Sequence, residues 1–114
     1  MDLADRLHSA LKSKKAEQKR MFGGTCFMLN GNMVTGTFKG GLIVRVGEAQ
    51  NDAALILPGA RPFEMNGRVS RGFIMVEQAA VASDAALRKW LDMALAFNAT
   101  LPAKAKKALK RKAK

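Results

Sequence analysis

Three turn signals, Asn30-Gly31, Gly40-Gly41 and Asn66-Gly67, each stand between apolar runs too short to be helices. Asn-Gly and Gly-Gly tolerate the positive φ angles of a two-residue hairpin turn, whose twist matches that of the strands it joins. A chain punctuated in this way is committed to antiparallel strands wherever the turns fall. The spacing predicts a three-stranded meander over residues 25–29, 33–38 and 42–46, and a second hairpin from 61–65 to 69–76. Gly72, inside the last strand, predicts a bulge.

Helical spacing frames these strands. Leu3, Leu7 and Leu11 make one apolar stripe, with Asp2 and Asp5 at its positive end, which predicts a helix over residues 2–19 broken by Gly23-Gly24. Residues 48–57 lose the two-residue alternation and suit a short helix stopped by Pro58-Gly59. Ser83 is placed as an N-cap with Asp84 just inside the helix, and Leu87, Trp90, Leu91, Ala94 and Phe97 share one face before Pro102 ends it. The order α-β-β-β-α-β-β-α predicts an α+β fold, a two-layer sandwich with helices packed over one antiparallel sheet. With 114 residues there is room for one core, so a single domain over 1–102 is expected, followed by a tail over 103–114.

Charge separates that tail from the body. The net charge is +11, of which residues 103–114 contribute +7 with no acid among them, residues 1–20 contribute +3, and residues 21–102 only +1. The bases of the tail are Lys104, Lys106, Lys107, Lys110, Arg111, Lys112 and Lys114, with Leu109 its one sizeable apolar group. Self-repulsion and the lack of an apolar face predict disorder in isolation. Alanine and lysine favour helix, so neutralisation by a polyanion would permit folding. Nucleic acid is the polyanion this predicts, bound without sequence preference because no aromatic is interleaved to stack on bases. Lys12, Lys14, Lys15, Lys19 and Arg20 would add to that charge. A purely solubilising tail is the alternative. Insertion into a membrane surface would need a bulkier apolar face, and no apolar run approaches the roughly 20 residues of a membrane span. The start lacks the apolar run of a signal peptide and Cys26 is the sole cysteine, so a cytoplasmic protein is expected.

Four motifs in order, Met21-Phe22-Gly23-Gly24, Leu29-Asn30-Gly31-Asn32-Met33, Leu42-Ile43-Val44-Arg45-Val46-Gly47 and Pro58-Gly59-Ala60-Arg61-Pro62-Phe63, resemble the N-terminal domain of the TfoX/Sxy family over roughly residues 10–101. Trp90 sits where that family has its last helix. The resemblance implies a two-layer fold like that of secretion chaperones. It also implies kinship with bacterial regulators of natural competence, which act as transcriptional co-activators beside the cyclic-AMP receptor protein. It brings no catalytic residue and no cofactor. Those regulators continue into a second, helical domain where these 114 residues end, so a single-domain member is expected, and Val69-Ser70 follows Gly67-Arg68 where relatives often carry Pro-Met.

Chemistry-bearing residues are sparse. The Gly23-Gly24 amides could cradle an anion, but the spacing fits neither a P-loop nor a dinucleotide fingerprint, and a tight helix-to-strand junction with Phe22 in the core is preferred. Cys26 beside Phe27 reads as a small buried apolar group, since a nucleophile needs a base and His8 is the only histidine. One His and one Cys do not make a zinc site, so no metal is expected. Glu48, Asp52, Glu64, Glu77, Asp84 and Asp92 form no motif pair and read as solvated charges. Arg45, Arg61, Arg68 and Arg71 lie on or beside strands, where a sheet could gather them into an anion or partner site, with plain surface ion pairs as the alternative. Met28, Met33, Met65, Met75 and Met93 are either core filling or an adaptable partner groove. The reading is a non-enzymatic regulatory protein with nucleic acid and a protein, such as transcription machinery, as partners. The alternatives are a protein-interaction module that binds no nucleic acid, and an enzyme acting on a small anion held by the strand arginines.

Overall fold

A computed structural model of the protein describes residues 2–21 and 23–102. The two Asn-Gly turns form where the sequence places them, with φ near +56° and +80° at Asn30 and Gly31 and +55° and +77° at Asn66 and Gly67. The middle turn is displaced by one residue. Lys39 (φ +47°) and Gly40 (φ +80°) make it, and Gly41 opens the next strand. Packing explains the shift: a Cβ on Gly41 would lie 2.9 Å from both the Met75 Cε and the Val76 carbonyl, so Gly41 is required for strand contact and not for the turn.

The elements are α1 (Leu3–Leu11), β1 (Glu17–Met21), β2 (Gly24–Leu29), β3 (Asn32–Phe38), β4 (Gly41–Arg45), α2 (Asn51–Leu55), β5 (Ala60–Met65), β6 (Arg68–Val76) and α3 (Asp84–Asn98). They form the α+β sandwich expected, a six-stranded antiparallel sheet in the order β1-β2-β3-β4-β6-β5 with helices on one side. The first helix is shorter than its local propensity suggests. Asp2 caps it by accepting from the Asp5 N–H at 2.9 Å, and its apolar stripe ends at Leu11. A 3-10 turn and Lys15 in the left-handed region follow, and residues 17–21 pair with β2 as an edge strand. Gly23-Gly24 therefore joins two strands and not a helix to a strand, with Gly23 at φ +76°. Phe22 lies outside the described residues. Glu17, Gln18, Lys19 and Arg20 are all exposed, and a charged edge of this kind discourages pairing with other chains.

The helix-side core joins Leu3, Leu7 and Leu11 of α1 to Leu87, Trp90, Leu91 and Ala94 of α3 over Phe27, Val34, Leu42, Val44, Ile74 and Val76 of the sheet. Ser83 caps α3, its Oγ accepting from the Ala86 N–H at 3.1 Å. The expected irregularity at Gly72 is present. With φ at +94°, its carbonyl accepts from both Val46 (2.8 Å) and Gly47 (3.1 Å), and its N–H donates to the buried Asn51 Oδ1 at 2.8 Å. Two side-chain amides close the C-terminal end of the body. Asn98 Nδ2 donates to the Leu29 carbonyl at 3.2 Å, and Asn32 Nδ2 donates to the Pro102 carbonyl at 2.9 Å.

Candidate functional site: the open face of the sheet

Pairing register sorts the strand side chains onto two faces. Val44 opposite Ile74 and Leu42 opposite Val76 point into the helix-side core, so Ile43 opposite Met75 and Arg45 opposite Phe73 occupy the other face. There a second apolar cluster forms, with Ile43, Phe63 and Met75 buried and Met33, Phe38 and Phe73 packed half-buried around them. Every described member comes from a strand and no described helix covers it. The three rings are in contact. Phe38 meets Phe63 edge-on at 5.5 Å between centroids, and Phe63 meets Phe73 tilted at 6.2 Å. Cations sit on this aromatic group: Lys39 Nζ is 5.3 Å from the Phe38 centroid and the Arg45 guanidinium is 5.3 Å from that of Phe73.

The four strand arginines do not converge. Arg45 is held between Phe73 and Phe97, the latter at 5.4 Å, in a cation–π arrangement worth about 0.5–2 kcal/mol per contact. Arg61 is exposed on β5 opposite Met75, on the same face as Arg45. Arg71 turns to α2 and pairs with Asp52 at 3.5 Å, an exposed contact of little stabilising value. Arg68 stands exposed beside the Asn66-Gly67 turn, opposite Met65. Two of the four thus share the open face and two belong to other surfaces.

The remaining candidates resolve individually. Cys26 is fully buried on β2 opposite Gly36, and burial pushes its thiol above the ordinary value, which favours the unreactive protonated form. His8 is exposed on α1. A thiol probe such as Ellman's reagent is therefore expected to label the native protein at least tenfold more slowly than the urea-unfolded chain at pH 8. Equal rates would place Cys26 at the surface. Glu48, Asp52, Glu64, Glu77, Asp84 and Asp92 are all exposed, and among the described residues no three His, Cys, Asp or Glu side chains group as metal ligands. Met33 and Met75 belong to the open-face cluster, while Met93 packs against the helix-side core. Between α1 and α3 runs a shallow cleft of about 300 Å³, lined by Arg6, Ser9, Leu87, Arg88 and Leu91, with Arg6 bonded to Asp84 at 3.2 Å. It gathers no acid–base or nucleophilic pair. Lys104, Lys106, Lys107, Lys110, Arg111, Lys112 and Lys114 lie outside the described residues.

Sequence reasoning did not single out Phe38, Phe63, Phe73 or Lys39 as a site. The signal was the unbroken apolar run in two strands, Leu42-Ile43-Val44 and Phe73-Ile74-Met75-Val76. Such a run marks a strand with both faces covered by apolar side chains, whereas a one-sided sheet alternates.

The fold and this face define a small two-layer α+β domain with one helix-covered sheet face and one open aromatic face. The TfoX N-terminal domain model matches residues 9–98, and the chain belongs to that family. Comparison with curated proteins and with solved structures gave no match. No helix among the described residues is long and apolar enough to cross a membrane.

Proposed function

We propose that this protein is a non-enzymatic regulatory or accessory module of a bacterial cytoplasm that binds nucleic acid through residues 103–114. The observation that carries the reading is the distribution of charge: seven bases and no acid in the last twelve residues, against +1 over residues 21–102. Such a segment attracts phosphate by counterion release, independent of base sequence. Family membership supports a role in transcription regulation like that of the competence regulators, and the domain over residues 1–102 is then the part that positions the tail. In fluorescence anisotropy at low salt, a labelled duplex is expected to bind the full chain at least a hundredfold more tightly than a chain ending at Pro102. No binding by the full chain would sink the reading.

The open apolar face favours a second reading, a protein-interaction module without nucleic-acid binding. Capture of one defined partner that survives both nuclease treatment and removal of the tail is what that reading requires.

A further inference from the structure

We infer that the open sheet face is a docking surface for a segment of a partner protein in which Asp or Glu side chains stand among large apolar ones. The surface rests on the protein-interaction reading above, to which it adds a place and a partner chemistry, and it is independent of nucleic-acid binding by residues 103–114.

Cations surround the apolar floor of this face on four sides. Register draws one cross-strand row over all six strands, Lys19, Cys26, Gly36, Ile43, Met75 and Arg61, each opposite the next. At the ordinary spacing between strands the row is about 24 Å long. It begins and ends on a cation, at the two edges of the sheet. Along the other direction, Lys39 lies over Phe38 where β3 turns into β4, and Arg45 lies over Phe73 at the far end of β4. Between them Ile43, Phe63 and Met75 are buried, with Met33, Phe38 and Phe73 half-buried around them.

The fold does not neutralise this ring of charge. The ion pairs among the described residues are Arg6 with Asp84 and Arg71 with Asp52, and neither involves Lys19, Lys39, Arg45 or Arg61. Glu17, opposite Met28, is the acid that register places on this face within β1–β4. Glu64 follows Phe63 along β5, and alternation turns it to the other side. A carboxylate carried over the floor therefore meets a cation at each border, in the charge-assisted geometry that makes such contacts strong. The half-buried apolar groups gain by being covered at the same time, which is the make-up of an interface core with a polar rim.

Charge and ring geometry set this occupant apart from the others. A second copy meeting this face would bring like charges together. Stacked bases need ring faces, and here Phe38 meets Phe63 edge-on at 78° and Phe63 meets Phe73 at 44°, while cations already lie over Phe38 and Phe73. A peptide with both acids and apolar side chains satisfies the border and the floor together.

The test selects a displayed library of random 12-residue peptides on the full chain near physiological salt. The most enriched peptide is then labelled with fluorescein and its affinity measured by anisotropy. Enriched sequences are expected to combine Asp or Glu with Phe, Leu, Ile, Met or Trp. Replacing the apolar residues of the selected peptide by Ser should weaken it at least tenfold, a loss that charge attraction by residues 103–114 cannot produce because both peptides carry the same acids. Arg45→Gln with Arg61→Gln, and separately Phe38→Ser with Phe73→Ser, should each weaken the selected peptide about tenfold and leave the Ser-substituted peptide within twofold. Circular dichroism checks that both variants fold; if the serine variant does not, the arginine variant decides. Enrichment of acids without apolar residues, no enrichment at all, or a selected peptide that binds the folded variants as it binds the parent overturns the docking surface. So does a tenfold loss of affinity for a 20-mer oligodeoxythymidylate in the serine variant with peptide binding unchanged, which would give the face to nucleic acid.

Discussion

Replacing Trp90 by alanine is expected to remove about 3–5 kcal/mol of stability, a large part of the roughly 5–15 kcal/mol that holds a domain of this size together. Trp90 is 4% exposed and belongs to the helix-side core, on the face of α3 that lies over the sheet. Truncation removes the largest apolar side chain in that layer and leaves a cavity that α3 cannot close without losing its contacts through Leu87, Leu91 and Ala94. The measurement is urea unfolding followed by far-ultraviolet circular dichroism, since Trp90 is the only tryptophan and its fluorescence is lost with it. Ile56, at 84% exposure, is the matched control, and Ile56→Ser should stay within about 0.5 kcal/mol of the parent. A Trp90→Ala protein that unfolds at the parental midpoint would remove α3 from the core.

Gly47→Ala is expected to cost about 2–5 kcal/mol through two separable causes. The backbone there has φ +89° and ψ 154°, a region essentially confined to glycine. A Cβ would also enter the ring of Phe97, which packs directly on the glycine. The added Phe97→Ala change should therefore relieve the steric part in the Gly47→Ala background and leave the backbone part, giving a coupling of about 1 kcal/mol or more in a double-mutant cycle. Additive effects would mean that the ring does not rest on Gly47. The position matters beyond stability, because Phe97 also flanks Arg45, so the ring that rests on Gly47 helps hold the Arg45 guanidinium in place.

Local chemistry made some elements legible and hid others. The Asn-Gly turns carry their own conformational instruction, and Ser83 with the spacing of Leu87, Trp90, Leu91 and Ala94 specifies the last helix almost completely. Residues 12–20 gave the opposite lesson. Lysine, alanine, glutamate and glutamine there favour helix locally, yet no apolar residue continues the stripe past Leu11, and pairing with β2 takes residues 17–21 as a strand. That pairing is a tertiary event. The placement of β6 between β4 and β5 is likewise tertiary, and it decides which arginines share a face: Arg45 and Arg61 do, while Arg71 is drawn to Asp52 on α2. The aromatic group was present in the sequence as Phe38, Phe63 and Phe73, but only the register shows that they leave the helix-side core and meet on the open face.

The central claim is that residues 103–114 bind nucleic acid through charge, and it is tested most directly by the salt dependence of duplex binding by the full chain. With all seven bases on phosphates, log K is expected to fall with log salt at a slope of about −6. A slope near zero, or binding that persists unchanged at high salt, would contradict the claim, because affinity would then come from contacts other than the tail's charges.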